Sequence, residues 1–225
     1  MSRSARIVTI AGLLGSVTSV MILHVVRTDL SPISTRLSEY ANGSYGWMMT
    51  LAFIALSIAL TTLGASLWVG RKPDVIAWIF LATALLAAAG TMLSAMFRTG
   101  ASEISETIHS LASTTGVVAV VALALAYSLT YARNPLASSS DRVGIGFAGG
   151  AAFLAAISPV LHNTRFTGLS QRLLWASLIA WLLMTSWRQT RGVTVDDGGG
   201  AAKVAISPTL RRADEPSRAR KEFPL

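Results

Sequence analysis

Three side chains suited to acid–base or metal chemistry recur at three-residue intervals in the stretch SEISETIHS. They are Glu103, Glu106 and His109. On a helix this spacing sets a carboxylate beside an imidazole, as in carboxylate-bridged metal sites, which also need a second such pair and two further glutamates. The sequence holds no second pair. Two interpretations therefore stay open: a ligand or catalytic role, and a His–Glu hydrogen bond at a helix entrance, where acids are favoured.

The histidines of the chain suggest a second kind of chemistry. There are three, His24, His109 and His162, and the spans described below place all of them toward one side of a membrane. Together they would be sufficient ligands for a mononuclear zinc ion. We predict no cofactor, with zinc on these histidines as the alternative. His109 as a base, with Glu106 and with Ser38 as nucleophile, would form a catalytic set, although no G-x-S-x-G motif surrounds Ser38.

The stretch DLSPISTRLSEYANG supplies further ionisable candidates for a ligand site. Arg36 and Glu39 would pair at i, i+3 if this segment is helical. Asp29 precedes them, and Arg172 lies at the start of the last apolar run. An arginine near lipid usually has a partner, for which Glu39 and Asp29 are the candidates. Arg172 would otherwise bind a phosphate or carboxylate head group, or extend its charged end to the membrane interface.

The composition indicates that the solvent around this chain is lipid. Of 225 residues 52% are hydrophobic and 13% are charged, mean hydropathy is +0.54, and there is no cysteine. Soluble domains carry about 25% charged residues. The net charge of +8 does not indicate nucleic acid, because the basic residues flank apolar runs and do not alternate with aromatic ones. The expected partners are membrane lipids, with a membrane protein or a second copy of the chain as further possibilities.

The apolar runs predict an all-α, six-transmembrane-helix bundle. A bilayer core of about 30 Å needs about twenty apolar residues in a helix. Such runs cover residues 7–26, 47–69, 75–97, 111–132, 144–161 and 173–187. The first run is longer than a signal-peptide core and no cleavage pattern follows it, so we interpret it as a retained span. Small-residue spacings predict close helix contacts at Gly12-x-x-x-Ser16 and Gly146-x-x-x-Gly150.

The basic residues predict the orientation of the bundle. Short segments rich in lysine and arginine stay in the cytoplasm. One set of segments fits this rule: Arg3 and Arg6, Arg71 and Lys72, Arg133 and Arg142, Arg188 and Arg191. We therefore predict cytoplasmic N- and C-termini and a multi-pass protein of the inner (plasma) membrane. Residues 1–190 form the predicted membrane domain. Residues 191–225, rich in glycine, proline and mixed charge, form a predicted disordered cytoplasmic tail.

This topology brings the candidate residues to one end of the bundle. The three outer connectors hold all the ligand-binding candidates or lie next to them: Asp29, Arg36, Glu39, His109 and Arg172. We predict a polar pocket at this outer mouth that binds a lipid head group or a small polar ligand. One alternative is a membrane-embedded hydrolase that acts on lipid, with or without a metal. Another is a structural or accessory subunit of a larger membrane complex.

Two short runs carry a resemblance to a known family. They are Ser38-Glu39-Tyr40-Ala41 and Gly168-Leu169-x-Gln171-Arg172, and with His109 after the third span they resemble the integral membrane family called domain of unknown function 998. The resemblance implies a six-helix fold with polar residues at one mouth, and no activity. Members of the family often have a Phe-Pro-x-Asp type sequence after span three. This chain has Phe97-Arg98-Thr99-Gly100 there, so Glu103 or Glu106 would have to supply the acid.

Overall fold

The computed structural model describes residues 1–69, 74–132, 139–162 and 164–188. Within these residues all regular structure is helical. Six α-helices and one short 3-10 helix follow in the order α1 (Arg3–Val26), the 3-10 helix (Leu37–Ala41), α2 (Gly46–Val69), α3 (Val75–Met96), α4 (Glu103–Ala132), α5 (Ser139–Leu161) and α6 (Thr167–Arg188). The prediction of an all-α fold with six long helices is confirmed. The predicted tail, and the basic pair Arg71 and Lys72, lie outside the described residues.

Five of the α-helices in the described part of the chain are long and apolar enough to cross a membrane. Their spans are Arg3–Val26, Gly46–Val69, Val75–Met96, Glu103–Tyr131 and Arg142–Leu161. Large apolar side chains such as Trp78, Phe153 and Val160 lie on the outside of the bundle, where lipid would contact them. The sixth helix has 22 residues, but its first two turns carry polar groups that include Gln171 and Arg172, which lowers its apolar content.

Several helices begin earlier than the apolar runs predict, α4 and α6 by the largest margins. Helix α4 starts at Glu103, eight residues before the predicted Leu111, and α6 starts at Thr167, six before the predicted Leu173. At α4 the cause is a cap: the Ser102 hydroxyl accepts a hydrogen bond from the Ser105 amide at 3.1 Å. The acids of the first turn, Glu103 and Glu106, are then stabilised by the positive end of the helix dipole. The apolar run therefore marks only the lipid-facing part of the helix.

The helices pack in sequence order, and α6 also contacts α1 and α4. The main core is aliphatic and aromatic, with Leu13, Leu63, Leu123 and Trp181 among its buried members. Small residues bring helix backbones close together at several crossings. A Cβ on Gly12 would lie 2.6 Å from the Ala55 carbonyl oxygen, so the predicted contact at Gly12 is present. The predicted contact at Gly146-x-x-x-Gly150 is wrong within the described residues, because a Cβ at either glycine would meet nothing within 4 Å.

The connector between α1 and α2 folds inward onto the end of the bundle. A second core cluster joins its Leu37, Tyr40 and Ala41 to residues of α1 and α2, and Tyr40 is 0% exposed. The 3-10 helix Leu37–Ala41 orients these three side chains inward. The connectors that follow α1, α3 and α5 all lie at this end, which we call the polar end. It is the end at which the candidate residues gather.

Candidate functional site at the polar end

The connector between α1 and α2 is fixed to the first turns of α6 by one main-chain hydrogen bond and by one bond to a side chain. The Leu169 amide donates to the Ile33 carbonyl at 2.9 Å. The Leu37 amide donates to the Gln171 side-chain oxygen at 3.0 Å. Gly168 permits this close approach, because a Cβ there would overlap the Thr35 carbonyl oxygen. The two runs that carry the family resemblance therefore pack against each other.

Arg172 stabilises the same junction. Its Nε donates to His24 Nε2 at 2.7 Å, and its Nη1 donates to the carbonyl oxygens of Thr35 at 2.8 Å and Gly168 at 2.9 Å. The guanidinium lies over the Tyr40 ring, 5.2 Å from its centroid. The predicted pairing with Asp29 or Glu39 is wrong, since in the described chain each acid pairs with a different arginine. Arg172 is thus bonded inside the protein.

The partners of His24 determine its tautomer. Its Nδ1 lies 2.7 Å from the Val20 carbonyl oxygen, which can only accept a hydrogen bond. Its Nε2 faces Arg172, which can only donate. In this arrangement Nδ1 donates to the Val20 carbonyl and Nε2 accepts from Arg172. The ring stacks on Tyr40 with centroids 5.1 Å apart, so His24 serves as a packed acceptor for the arginine.

At the start of the same connector Arg27 and Asp29 form a two-bond ion pair. Arg27 Nε donates to Asp29 Oδ1 at 2.9 Å, and Nη2 donates to Oδ2 at 2.8 Å. Arg27 Nη1 donates to the Asn42 carbonyl oxygen, which closes the loop. The hydrogen bonds from Arg27 lower the pKa of the Asp29 carboxyl, and the same bonds raise the pKa of Arg27 above its ordinary value.

Arg36 connects the first connector to the third. Its Nε lies 3.7 Å from Glu39 Oε1, so the i, i+3 pair expected from the sequence is present. Its Nη2 lies 2.6 Å from His162 Nε2, at the end of α5. Because arginine only donates, the His162 nitrogen is the acceptor. One side chain thus ties two of the three connectors together.

His109 connects α4 to the end of α3. It is 3% exposed, and its Nδ1 donates to the Phe97 carbonyl oxygen at 2.7 Å. The Phe53 ring meets it edge-on at 6.1 Å between centroids. In the described residues His109 forms no hydrogen bond or ion pair with Glu103 or Glu106, so the expected His–Glu bond is wrong. His109 instead holds the turn that contains Thr99 and Gly100.

A cavity of about 330 Å³ opens between the first and second of these connectors. It is lined by Arg27, Leu30, Arg36, Glu39, Asn42, Thr99, Gly100 and Glu106. Thr99 is 7% exposed, and its hydroxyl finds no hydrogen-bond partner in the described part of the protein. Gly100 has φ +74°, a conformation that L side chains rarely adopt, so glycine is suited to this wall of the pocket. We call this cavity the polar pocket.

The structure brings some of the predicted site residues into the polar pocket and places others behind it. Arg36, Glu39 and Glu106 line it, and Asp29 holds the lining residue Arg27. His109 and Arg172 do not line it and act as anchors for its walls. Sequence reasoning did not include five lining residues among the site candidates: Arg27, Leu30, Asn42, Thr99 and Gly100. Glu106, and not Glu103, shares the pocket with Gly100, where the resemblance required an acid.

The catalytic and metal candidates are not assembled in the same way. His24, His109 and His162 bind Arg172, the Phe97 carbonyl and Arg36 respectively. No group of three potential metal ligands occurs among the residues that the structure describes. No hydrogen bond joins Ser38 to His109 within those residues either. Within the described residues the Ser38 hydroxyl and the His109 ring are therefore not paired.

Comparison with known proteins places the chain in a family but not in a functional class. Neither a curated protein nor a solved structure matches it significantly. A family model does match, over residues 10–188, and its description is protein of unknown function (DUF998). The match covers all six helices apart from the first turns of α1. This membrane-type helical bundle belongs to the DUF998 family.

Proposed function

We propose that the protein binds a lipid head group or another small polar ligand in the polar pocket. The observation that carries the proposal is the buried Thr99 hydroxyl, which lines the pocket without a hydrogen-bond partner in the described chain. A buried hydroxyl left unpaired costs about 1–3 kcal/mol, so buried polar groups are normally paired. A ligand oxygen or nitrogen in the pocket would give this hydroxyl its partner.

The construction of the pocket supports binding in a second way. Its two arginines are already held by bonds within the protein, so they do not need to be ordered when a ligand arrives. Arg36 is tied to His162, and Arg27 is tied to Asp29 and to the Asn42 carbonyl. Sites of this kind lose less conformational entropy on binding. A cavity of about 330 Å³ is suited to a group of head-group size.

We also propose that all six helices span the plasma membrane and that the polar pocket opens on its outer face. Helix α6 supports this, since its 22 residues measure about 33 Å at 1.5 Å per residue. Arg3 and Arg6 at the opposite end of α1 agree with a cytoplasmic N-terminus.

The orientation can be tested by labelling, because the chain has no cysteine. Single-cysteine variants Ser34→Cys, in the exposed part of the first connector, and Ser217→Cys, in the tail, would be treated with an impermeant maleimide on intact cells. We expect label on Ser34→Cys alone until the cells are opened. Label on Ser217→Cys alone would mean that the pocket faces the cytoplasm.

The binding proposal can be tested with an isosteric variant. Thr99→Val removes the unpaired hydroxyl, so we expect unchanged or higher stability but weaker ligand retention, by about 5–10-fold for one lost hydrogen bond of about 1 kcal/mol. Native mass spectrometry of mildly extracted protein would report the retained molecule.

Thr50→Val is the matched control for this test. Thr50 also has a buried hydroxyl without a partner in the described residues, but it belongs to α2 and does not line the pocket. We expect this variant to retain the ligand as the wild type does. A wild-type protein that carries no bound molecule, or equal retention by Thr99→Val, would overturn the proposal.

A further inference from the structure

The charged groups around the polar pocket are not all paired within the described residues, which bears on the kind of ligand the pocket takes. The two arginines of the lining each have an acidic partner: Arg27 is bonded to Asp29 and Arg36 is paired with Glu39. Glu106 also lines the pocket. Within the described residues its carboxylate has neither a hydrogen bond nor an ion pair. Glu106 is therefore the lining carboxylate that has no cationic partner within the described residues.

The remaining hydrogen-bonding groups are of the opposite kind. Arg36 uses Nη2 for His162 and Nε for Glu39, and no bond from its Nη1 is found in the described chain. The Thr99 hydroxyl also has no hydrogen-bond partner within the part of the chain that the structure describes. An arginine N–H and a hydroxyl are donors that favour an oxyanion. The pocket therefore combines an unpaired carboxylate with donors that are free to bind an oxygen.

We propose that the ligand of the polar pocket is a zwitterion, with a primary ammonium group bound by Glu106 and a phosphate or carboxylate bound by Arg36 and Thr99. This inference rests on the proposed binding function and specifies its ligand class. A phosphoethanolamine group has this chemistry at a size that agrees with the cavity of about 330 Å³. It occurs both as the head group of phosphatidylethanolamine and as a free soluble compound.

The charge pattern distinguishes this ligand from simpler ones. Phosphate alone would place a second anion beside the unpaired Glu106 carboxylate. A divalent cation would suit Glu39 and Glu106 but would lie beside two guanidinium groups, Arg27 and Arg36. Only a ligand that carries both charges places each beside its opposite.

The test compares Glu106→Gln with Glu103→Gln, using the full-length protein in nanodiscs. Glu103 is an exposed glutamate of the same helix turn that does not line the pocket. Binding of phosphoethanolamine would be measured by calorimetry, with inorganic phosphate, ethanolamine and calcium as comparison probes. We expect Glu106→Gln to weaken phosphoethanolamine binding at least about 10-fold, as for loss of one charged hydrogen bond. Glu103→Gln should bind as the wild type does.

A second measurement identifies the source of the ligand. Native mass spectrometry after reconstitution in mixed phosphatidylethanolamine and phosphatidylglycerol would show selective retention of the former if the head group is bound. Binding of soluble phosphoethanolamine with no lipid preference would indicate the free compound. Either result supports the zwitterion.

Three results would overturn the inference. They are phosphate or calcium binding more tightly than phosphoethanolamine, no binding of phosphoethanolamine in either form, and equal binding by Glu106→Gln and the wild type. If Thr99→Val still reduced retention of some other molecule, the polar pocket would remain a binding site of another class. If Thr99→Val also had no effect, the proposed function itself would be wrong.

Discussion

Gly168 is the position at which a single added methyl group should separate the first connector from α6. A Cβ there would overlap the Thr35 carbonyl oxygen, and would lie 2.9 Å from the Ile33 carbonyl oxygen and 2.8 Å from Arg172 Nη1. The first two are main-chain atoms and cannot rotate away. Gly168→Ala must therefore move the connector relative to the helix.

The size of the effect follows from the bonds that cross this junction. The Leu169 amide bond to Ile33 is a neutral hydrogen bond, and the Arg172 bond to Thr35 is a charged one. Their loss would cost about 1 and about 2 kcal/mol. Alanine in a helix returns about 0.5–1 kcal/mol relative to glycine. We expect Gly168→Ala to lower the free energy of unfolding by about 2 kcal/mol.

Gly146→Ala supplies the matched control. Gly146 is also helical, but a Cβ there would meet nothing within 4 Å. Only the helix-propensity gain remains, so this variant should be more stable by about 0.5–1 kcal/mol. The same chemical change should therefore have opposite signs at the two positions.

Two measurements would decide the matter. Unfolding by sodium dodecyl sulfate in mixed micelles gives the free energies of both variants, and hydrogen exchange reports the Leu169 amide directly. We expect faster exchange at Leu169 in Gly168→Ala only. If Gly168→Ala were as stable as the wild type with Leu169 still protected, the close approach described at this junction would be wrong.

Three further predictions concern bonds outside that junction. Because Arg27 lowers the pKa of Asp29, the stability from this pair is complete above the ordinary aspartate value of about 3.9 and is lost as pH falls through the lowered pKa. In denaturation experiments Asp29→Asn should therefore be less stable than the wild type at neutral pH and equally stable in acid. A difference in stability that stays the same at both pH values would contradict this. His109→Leu leaves the Phe97 carbonyl without its donor and should lower the free energy of unfolding by about 1 kcal/mol, with faster exchange in the following turn; unchanged exchange would exclude an anchoring role. Ser57→Ala removes a 2.8 Å hydrogen bond from α2 to α3 and should cost about 0.6 kcal/mol in the same micelle titration, while a stabilised variant would contradict it.

The helices could be predicted from the sequence because lipid leaves few alternatives. In hydrocarbon the backbone N–H and C=O groups of an apolar run can bond only to each other, so the run has to be helical. The number of long helices followed directly from the number of such runs. The helix starts did not follow, since hydropathy ends where the lipid ends. Helix α4 continues to Glu103 because Ser102 caps it, and α6 continues to Thr167 because its polar first turns bind the first connector.

The candidate site was predictable only where it depends on local spacing. Arg36 and Glu39 are three residues apart, and their pairing was expected on that basis. The partners of Arg172 were not, because a carbonyl oxygen such as that of Thr35 has no signature in the sequence. Thr99 was not selected because its importance comes from burial, which depends on contacts far along the chain.

The family resemblance and the polar pocket therefore report on different properties of the molecule. Tyr40, Gly168 and Arg172 belong to the runs that carry the resemblance, and all three form the junction behind the pocket. Replacing any of them would disturb the walls of the pocket together with the fold, so a loss of binding would not identify a ligand contact. Thr99 and Glu106 lie outside both runs and line the pocket, and their side chains form no hydrogen bond or ion pair within the described residues. Variants at these two positions can separate binding from folding, which variants in the resembling runs cannot do.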